Sequence, residues 1–356
     1  MKNIYFTVGP SQIYPTVVGH THTALTEDIF SLNHRSKEFE GFYKSAVVQL
    51  KKLLSIPKDY SVFFLSSGTE AMEKIIQNTV ESNSFHIVTG TFGDRFYEAA
   101  KELGKQPDHY VYDPLEVFSA DNITVPADAE LIAFTHNDTS TGMQIPVEEI
   151  YEIGNKNPNA LIAVDAVSSI PYMDIDYSKV DCVFFSVQKG FGMPAGLGVV
   201  VVSPRAMEKS QALMSKGIST GSYHNFENLD KYAQKNQTPD TPNVFGIYLL
   251  SKVLEDFNQI GIENIRADTE KKADLIYSFA QNSHIFSPLV KDFSHQSKTT
   301  IVLKVEGGSE SLVHQLEEKG YIVGSGYGEN KNDHIRIANF PSHTIENVDG
   351  LLDELK

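Results

Sequence analysis

Through the first two thirds of the chain, short apolar runs alternate with segments whose apolar residues recur at helical spacing. The runs fall at residues 61–65, 85–89, 109–112, 131–135, 161–164 and 182–187. They are rich in Val, Ile and Phe and mostly lack alternation, which is the pattern of strands buried on both faces. After Ser67, the side chains of Ala71, Met72, Ile75, Ile76, Thr79 and Val80 make a single stripe, so a helix is expected there. The β-α-β-α order predicts an α/β fold: a mostly parallel sheet with helices on both faces. Residues 197–202 form a further apolar run of strand length.

The pattern changes at the Pro-rich residues 238–242. Helices are expected at about 243–257 and 262–281. Then come an apolar run at 299–305, a helix near 310–319, short runs at 321–323 and 334–338, and a last helix carrying Val348, Leu351, Leu352 and Leu355. This reads as a smaller α+β unit. The expected division is a large unit at 15–245 and a small one made of 1–14 and 246–356. The Gly-rich residues 324–328 are expected to form a mobile loop.

A chain of 356 residues is long enough to bury a substantial core without disulfides or metal. Its 30 basic and 46 acidic residues leave a net charge of −16, which repels phosphate backbones and anionic lipid. Nucleic-acid and membrane partners are therefore not expected, and an anionic ligand needs a local cluster of donors. The one cysteine, Cys182, excludes an internal disulfide and a Cys-based zinc site. The N-terminal apolar run is too short for a signal peptide and no run spans a bilayer. The expected location is the cytoplasm.

Three features carry candidate chemistry. Ser66-Ser67-Gly68-Thr69-Glu70 lies between a strand and a helix, where free N–H groups favour an anion. The same residues also read as a plain capping box. Asp165 ends an apolar strand, either pairing with a cation or capping the next loop. Lys189 ends another, where desolvation lowers its pKa and yields a neutral amine nucleophilic toward carbonyls; the alternative is a lysine that reaches the surface. Together an anion site, an aspartate and a lysine 24 residues later suit pyridoxal phosphate: phosphate on the helix end, Asp165 on the pyridinium nitrogen, Lys189 on the aldehyde carbon.

The chain also resembles the class V aminotransferases of the fold-type I pyridoxal-phosphate enzymes. The resemblance rests on Phe6-Thr7-Val8-Gly9-Pro10, Ser67-Gly68-Thr69, Asp165-Ala166-Val167-Ser168-Ser169, Ser186-Val187-Gln188-Lys189-Gly190 and Ile335-Arg336-Ile337-Ala338-Asn339. It implies a homodimer with shared sites. It implies that Phe92 stacks on the cofactor, that Thr139 donates to its ring hydroxyl and that Gln188 reaches its phosphate. Thr241, with Thr238 as rival, is expected to reach the phosphate across the dimer interface. Asp240 stands there where relatives often carry Asn, and a carboxylate repels a phosphate.

The resemblance makes Arg336 the substrate-carboxylate arginine, a role suited to a bidentate guanidinium. Asn33-His34-Arg35-Ser36 is similar to the segment with which the family's phosphoserine-using branch binds substrate phosphate from the neighbouring subunit. The bland reading is a solvated helix start capped by Ser36. Some of that branch add an arginine where this chain has Thr69 and Glu70, and a histidine several residues before the final arginine, a place for which Lys331 and His334 are the candidates here. The expectation is transamination between glutamate and phosphohydroxypyruvate. The alternatives are alanine–glyoxylate or serine–pyruvate transamination, and a non-catalytic binding protein on the same fold. Cysteine desulfuration is not expected, because Cys182 reads as core. A nicotinamide dehydrogenase is disfavoured because no G-x-G-x-x-G follows the first strand.

Overall fold

The structure, a computed structural model, describes residues 3–112 and 118–356. Met1 and Lys2, the start of the N-terminal run, lie outside the described residues. The strands in chain order are β1 (Ile4–Phe6), β2 (Ser61–Leu65), β3 (Asn83–Val88), β4 (Gln106–Val111), β5 (Leu131–Thr135), β6 (Asn137–Asp138) and β7 (Met143–Gln144). They continue with β8 (Leu161–Asp165), β9 (Cys182–Ser186), β10 (Gly198–Val202), β11 (Phe286–Pro288), β12 (Thr300–Val305), β13 (Tyr321–Ser325) and β14 (His334–Ala338). The α/β expectation holds in its main sheet, which has seven strands in the order β2-β10-β9-β8-β5-β3-β4. The β4-β3-β5-β8-β9 stretch is parallel throughout, and β10 runs antiparallel to both of its neighbours.

Successive side chains of these strands feed two different cores. Val62, Phe64, Ile132, Phe134, Ile162 and Val164 face one, against the helices Lys37–Leu53 and Val244–Ile260. Phe63, Leu65, Leu131, Ala133, Leu161 and Cys182 face the other, under the helix Gly68–Thr79. Continuous apolar runs are thus required by burial on both sides. The predicted stripe of that helix is the face it buries, and Ile75 and Ile76 are fully enclosed. Each such side chain contributes about 1.5–3 kcal/mol; truncating Ile75 to Ala costs about 2–5 kcal/mol.

The second sheet has the order β1-β13-β14-β12-β11. β1, from the N-terminus, pairs in parallel with β13, so the two ends of the chain meet. The Gly-rich stretch departs from its expectation. Gly324 and Ser325 are strand residues paired with Arg336 and Ile335, and residues 328–332 form a short 3-10 turn. Backbone pairing to β14 overrides the local glycine signal. Helix Val244–Ile260 buries Ile247, Leu250, Val253, Leu254 and Phe257 in the core of the first sheet. Among the described residues no helix is long and apolar enough to cross a membrane.

Candidate active site

The loops after five strands of the main sheet, β2, β3, β5, β8 and β9, converge at their carboxyl ends, where parallel sheets leave a crevice. There they enclose a cavity of about 290 Å³. Of the sequence-predicted residues, Ser67, Gly68, Thr69, Phe92, Thr139, Asp165, Gln188, Lys189 and Arg336 line it. His34, Arg35 and Thr241 do not.

The turn after β2 carries the residues expected to bind an anion. Ser67 caps the helix, its Oγ accepting from Glu70 N at 3.1 Å. Gly68 N donates to Ser186 Oγ at 2.8 Å, and a Cβ on Gly68 would come within 2.8 Å of Val167 Cγ2. Only a glycine lets this turn lie so close to the β9 strand end. The expected capping box is half formed: the Glu70 carboxylate turns back to Ser66, accepting from its N at 2.7 Å and its Oγ at 2.6 Å.

Asp165 ends β8 and Lys189 follows β9, and both are buried. Asp165 combines the two sequence readings: Oδ1 accepts from Val167 N at 2.8 Å while the residue lines the cavity. Burial pulls the Lys189 ammonium below the usual lysine range; Asp165 and Asp138 oppose that shift and Arg336 adds to it. Burial likewise raises the Asp165 carboxyl, against the Val167 N–H and Lys189. A cationic ring nitrogen beside Asp165 would restore its charge. Lys189 Nζ sits 5.2 Å from the centre of the Phe92 ring. The N-terminal segment covers the lysine stem, where a Cβ on Gly9 would come within 2.6 Å of Lys189 Cε. Gly9 also has φ +142°, a conformation that favours glycine.

Asp138, which the sequence reading passed over, holds this wall together. Its Oδ2 accepts from Phe92 N at 2.9 Å and Gly93 N at 3.2 Å. Its Oδ1 accepts from Ser140 N and Ser140 Oγ at 2.9 and 2.6 Å. It is fully buried and caps the helix Thr91–Glu102 that carries Phe92. The signal was present as an aspartate beside the noted Thr139, but its target lies 46 positions away.

Arg336, on β14, is held by Nε donating to Ser325 O at 2.7 Å, and its guanidinium lies 5.3 Å from the centre of the Tyr327 ring. Tyr327, also missed, lines the cavity mouth. Neither Lys331 nor His334 lines the cavity; His334 Nδ1 pairs with Asp333 at 2.7 Å. Cys182 is buried inside β9, away from the cavity, as the core reading expects. Among the described residues no cluster of three or more His, Cys, Asp or Glu side chains is placed to hold a metal ion.

Three expected residues gather elsewhere. Ser36 caps the helix Lys37–Leu53 with Oγ accepting from Phe39 N at 3.2 Å, which places His34 and Arg35 just before it. Arg35 Nη1 donates to Thr238 O at 2.6 Å and to Gln237 Oε1 at 3.1 Å, and the guanidinium stacks 4.9 Å from the Tyr232 ring centre. Thr241 is exposed on the same loop; Thr238 is buried and spends its hydroxyl on Asp240 O at 2.8 Å.

The cavity fits pyridoxal phosphate. Thr139 Oγ1 is buried there without a hydrogen-bond partner, as a donor awaiting a ring oxygen would be. The helix N-terminus, Asp165 and Lys189 offer the complement of its phosphate, ring nitrogen and aldehyde. Fold and site together define a pyridoxal-phosphate enzyme of the aminotransferase type. The family model for class V aminotransferases matches residues 4–331, and the chain belongs to that family. It is a pyridoxal-phosphate-dependent transaminase.

Among its relatives, a phosphoserine aminotransferase from Rhodococcus opacus is 27% identical over 97% of this chain and 92% of that one. The crystal structure of a phosphoserine aminotransferase from Cytophaga hutchinsonii is 50% identical. It superposes with a TM-score of 0.97 over 99% of this chain and 98% of that one. An alanine–glyoxylate aminotransferase from Nostoc shares the fold, with a TM-score of 0.80, 23% identity and coverage of 100% and 94%.

Proposed function

We propose that this transaminase moves an amino group between glutamate and 3-phosphohydroxypyruvate, giving phosphoserine and 2-oxoglutarate, as a cytoplasmic homodimer in serine biosynthesis. The observation that carries the substrate is the likeness, at 50% identity over almost the full length, to a phosphoserine aminotransferase. The His34-Arg35 pair adds to it. These residues and Thr241 lie together on one surface outside the chain's own cavity, as side chains serving a neighbouring subunit's site would. Thr241 suits the cross-subunit contact better than Thr238, because its hydroxyl is exposed. The proposed units are residues 15–245, and 1–14 with 246–356, although helix Val244–Ile260 packs its apolar face in the core of the first sheet.

Bound in the cavity, pyridoxal phosphate supplies an electron sink for the substrate's α-carbon. Ser67, Gly68, Thr69 and Gln188 would hold its phosphate, Thr139 its ring hydroxyl, Phe92 its ring face and Asp165 its ring nitrogen. Lys189 would anchor it through Nζ. When not engaged with the cofactor, the same Nζ would be placed to take the proton from the substrate's α-carbon and to give it back. Its depressed pKa leaves a neutral amine able to do so. Arg336 clamps the α-carboxylate with a fork that Tyr327 and Ser325 hold in place.

The test is absorbance of the holoenzyme with L-phosphoserine, with L-alanine and L-serine in parallel. Conversion to the pyridoxamine form with phosphoserine and not with the others is expected. Conversion with alanine or serine instead would keep the chemistry and discard the phosphate role of His34 and Arg35.

A further inference from the structure

Two acidic residues stand where an anion site should exclude them. Glu70 is in the first turn of the helix whose N-terminus faces the cavity, and Asp240 is on the loop that carries Thr241. The structure joins them through His224, whose Nδ1 lies 2.6 Å from Glu70 Oε1 and whose Nε2 lies 2.8 Å from Asp240 Oδ1. An ionised carboxylate only accepts, so both ring nitrogens donate and the imidazole is the cation. His224 is 6% exposed, and its ring packs on Tyr223 at 4.1 Å. The three residues line a second pocket of about 190 Å³ that shares the 66–70 turn with the first.

We infer that His224, bridged between Glu70 and Asp240, is a positioning residue for the cofactor's phosphate. It cancels one of the two negative charges behind the 66–70 turn and ties the loop at 237–242 to the helix that this turn begins. The Glu70 carboxylate is fully engaged, by His224 on one oxygen and by Ser66 N and Oγ on the other. The net charge of the triad is −1 rather than −2, and the largely enclosed Glu70, next in sequence to residues 67–69, acts on an anion there with less screening than in water. The bridge also gives the acidic Asp240 a hydrogen-bonded partner within its own chain.

The inference rests on the cofactor phosphate lying at residues 67–69, so its test reads cofactor binding without substrate. The apoenzyme is titrated by absorbance with pyridoxal phosphate and with pyridoxal, which lacks the phosphate. H224A is expected to weaken pyridoxal phosphate by about 10-fold or more and pyridoxal by less than about 3-fold. The triple variant H224A/E70Q/D240N, with the charges removed, is expected to recover to within about 3-fold of wild type. Equal losses for both ligands, or a triple variant as weak as H224A, would overturn the inference and leave His224 structural. If H224A does not fold, H224Q, whose amide can donate but carries no charge, carries the same comparison, with a loss confined to the phosphorylated ligand. A wild-type chain that binds pyridoxal phosphate tightly but ignores phosphoserine would sink the substrate reading and leave this test standing.

Discussion

The cavity and the surface around His34, Arg35 and Thr241 are built by opposite means. In the cavity, strand ends of a twice-buried sheet fix Asp165 and Lys189, and an enclosed carboxylate, Asp138, fixes the wall beside them. On the surface, Arg35 is exposed and held by loop carbonyls, and the loop is held in turn by an ion bridge to His224. The groups proposed to carry the transamination sit where geometry is rigid. The groups proposed to select a substrate sit where a neighbouring chain can complete them. Rigid elements hold catalytic geometry, while loops tolerate the change that specificity needs.

The sharpest way to break that contrast is at Lys189. K189A should lower turnover by about 10⁴-fold or more, since one group is proposed to serve as nucleophile and proton carrier. Borohydride should no longer trap cofactor on the chain. Full turnover in the variant would end the mechanism. D165N comes next. It keeps shape but removes the charge matched to the ring nitrogen, and kcat should fall by about 10²–10³-fold with the fold intact. The cofactor's absorbance should shift as its ring nitrogen loses a proton. A kcat within a few fold of wild type would place Asp165 in the loop-capping role alone.

The surface should behave differently. H34A is expected to cost phosphoserine about 10–100-fold in kcat/KM, the worth of lost hydrogen bonds to a charged group, and to leave alanine unchanged. R35A should show the same bias plus a looser 237–242 loop, because Arg35 also bonds Thr238 and Gln237 in its own chain. Equal losses for both amino acids from H34A would mean that the surface supports the fold without choosing the substrate.

How legible each region was follows from how it is built. The sheet was readable because burial on both faces forces unbroken apolar runs, and β2, β5 and β8 begin where those runs begin. The direction of β10 was not, since its apolar run says nothing about which way it lies between β9 and β2. Nor was the pairing of β1 with β13, which joins residues more than 300 apart. Lys189 and Asp165 were visible because each closes a run. Asp138 and His224 were not, since their partners are set by the fold: Phe92 for one, Glu70 and Asp240 for the other. The two acidic departures were visible as conflicts, and what resolves them lies 154 residues from Glu70.

The smallest expected effect is a pH dependence confined to the surface. Burial alone would lower the His224 pKa; hydrogen bonds to Glu70 and Asp240 outweigh it and raise the value above that of a free imidazole. Burial would raise Glu70, but bonds from His224 and Ser66 hold it down to about 2. A group raised in the folded state contributes fully below its unfolded value, near 6.5, and loses that contribution as pH rises through its folded value. The Glu70 side is present above about 4.5, its unfolded value, and fails as pH falls toward 2. Between those limits the loop should be held most tightly. Hydrogen exchange of residues 237–242 should therefore accelerate, beyond the intrinsic base-catalysed rise, as pH climbs above neutrality. The strand amides of β8 and β9, which carry no such tie, should show only the intrinsic rise. H224Q should flatten the loop's excess while leaving the strands as they were. An excess that persists in H224Q would assign the tie to another group, and the surface would then be held as firmly as the cavity.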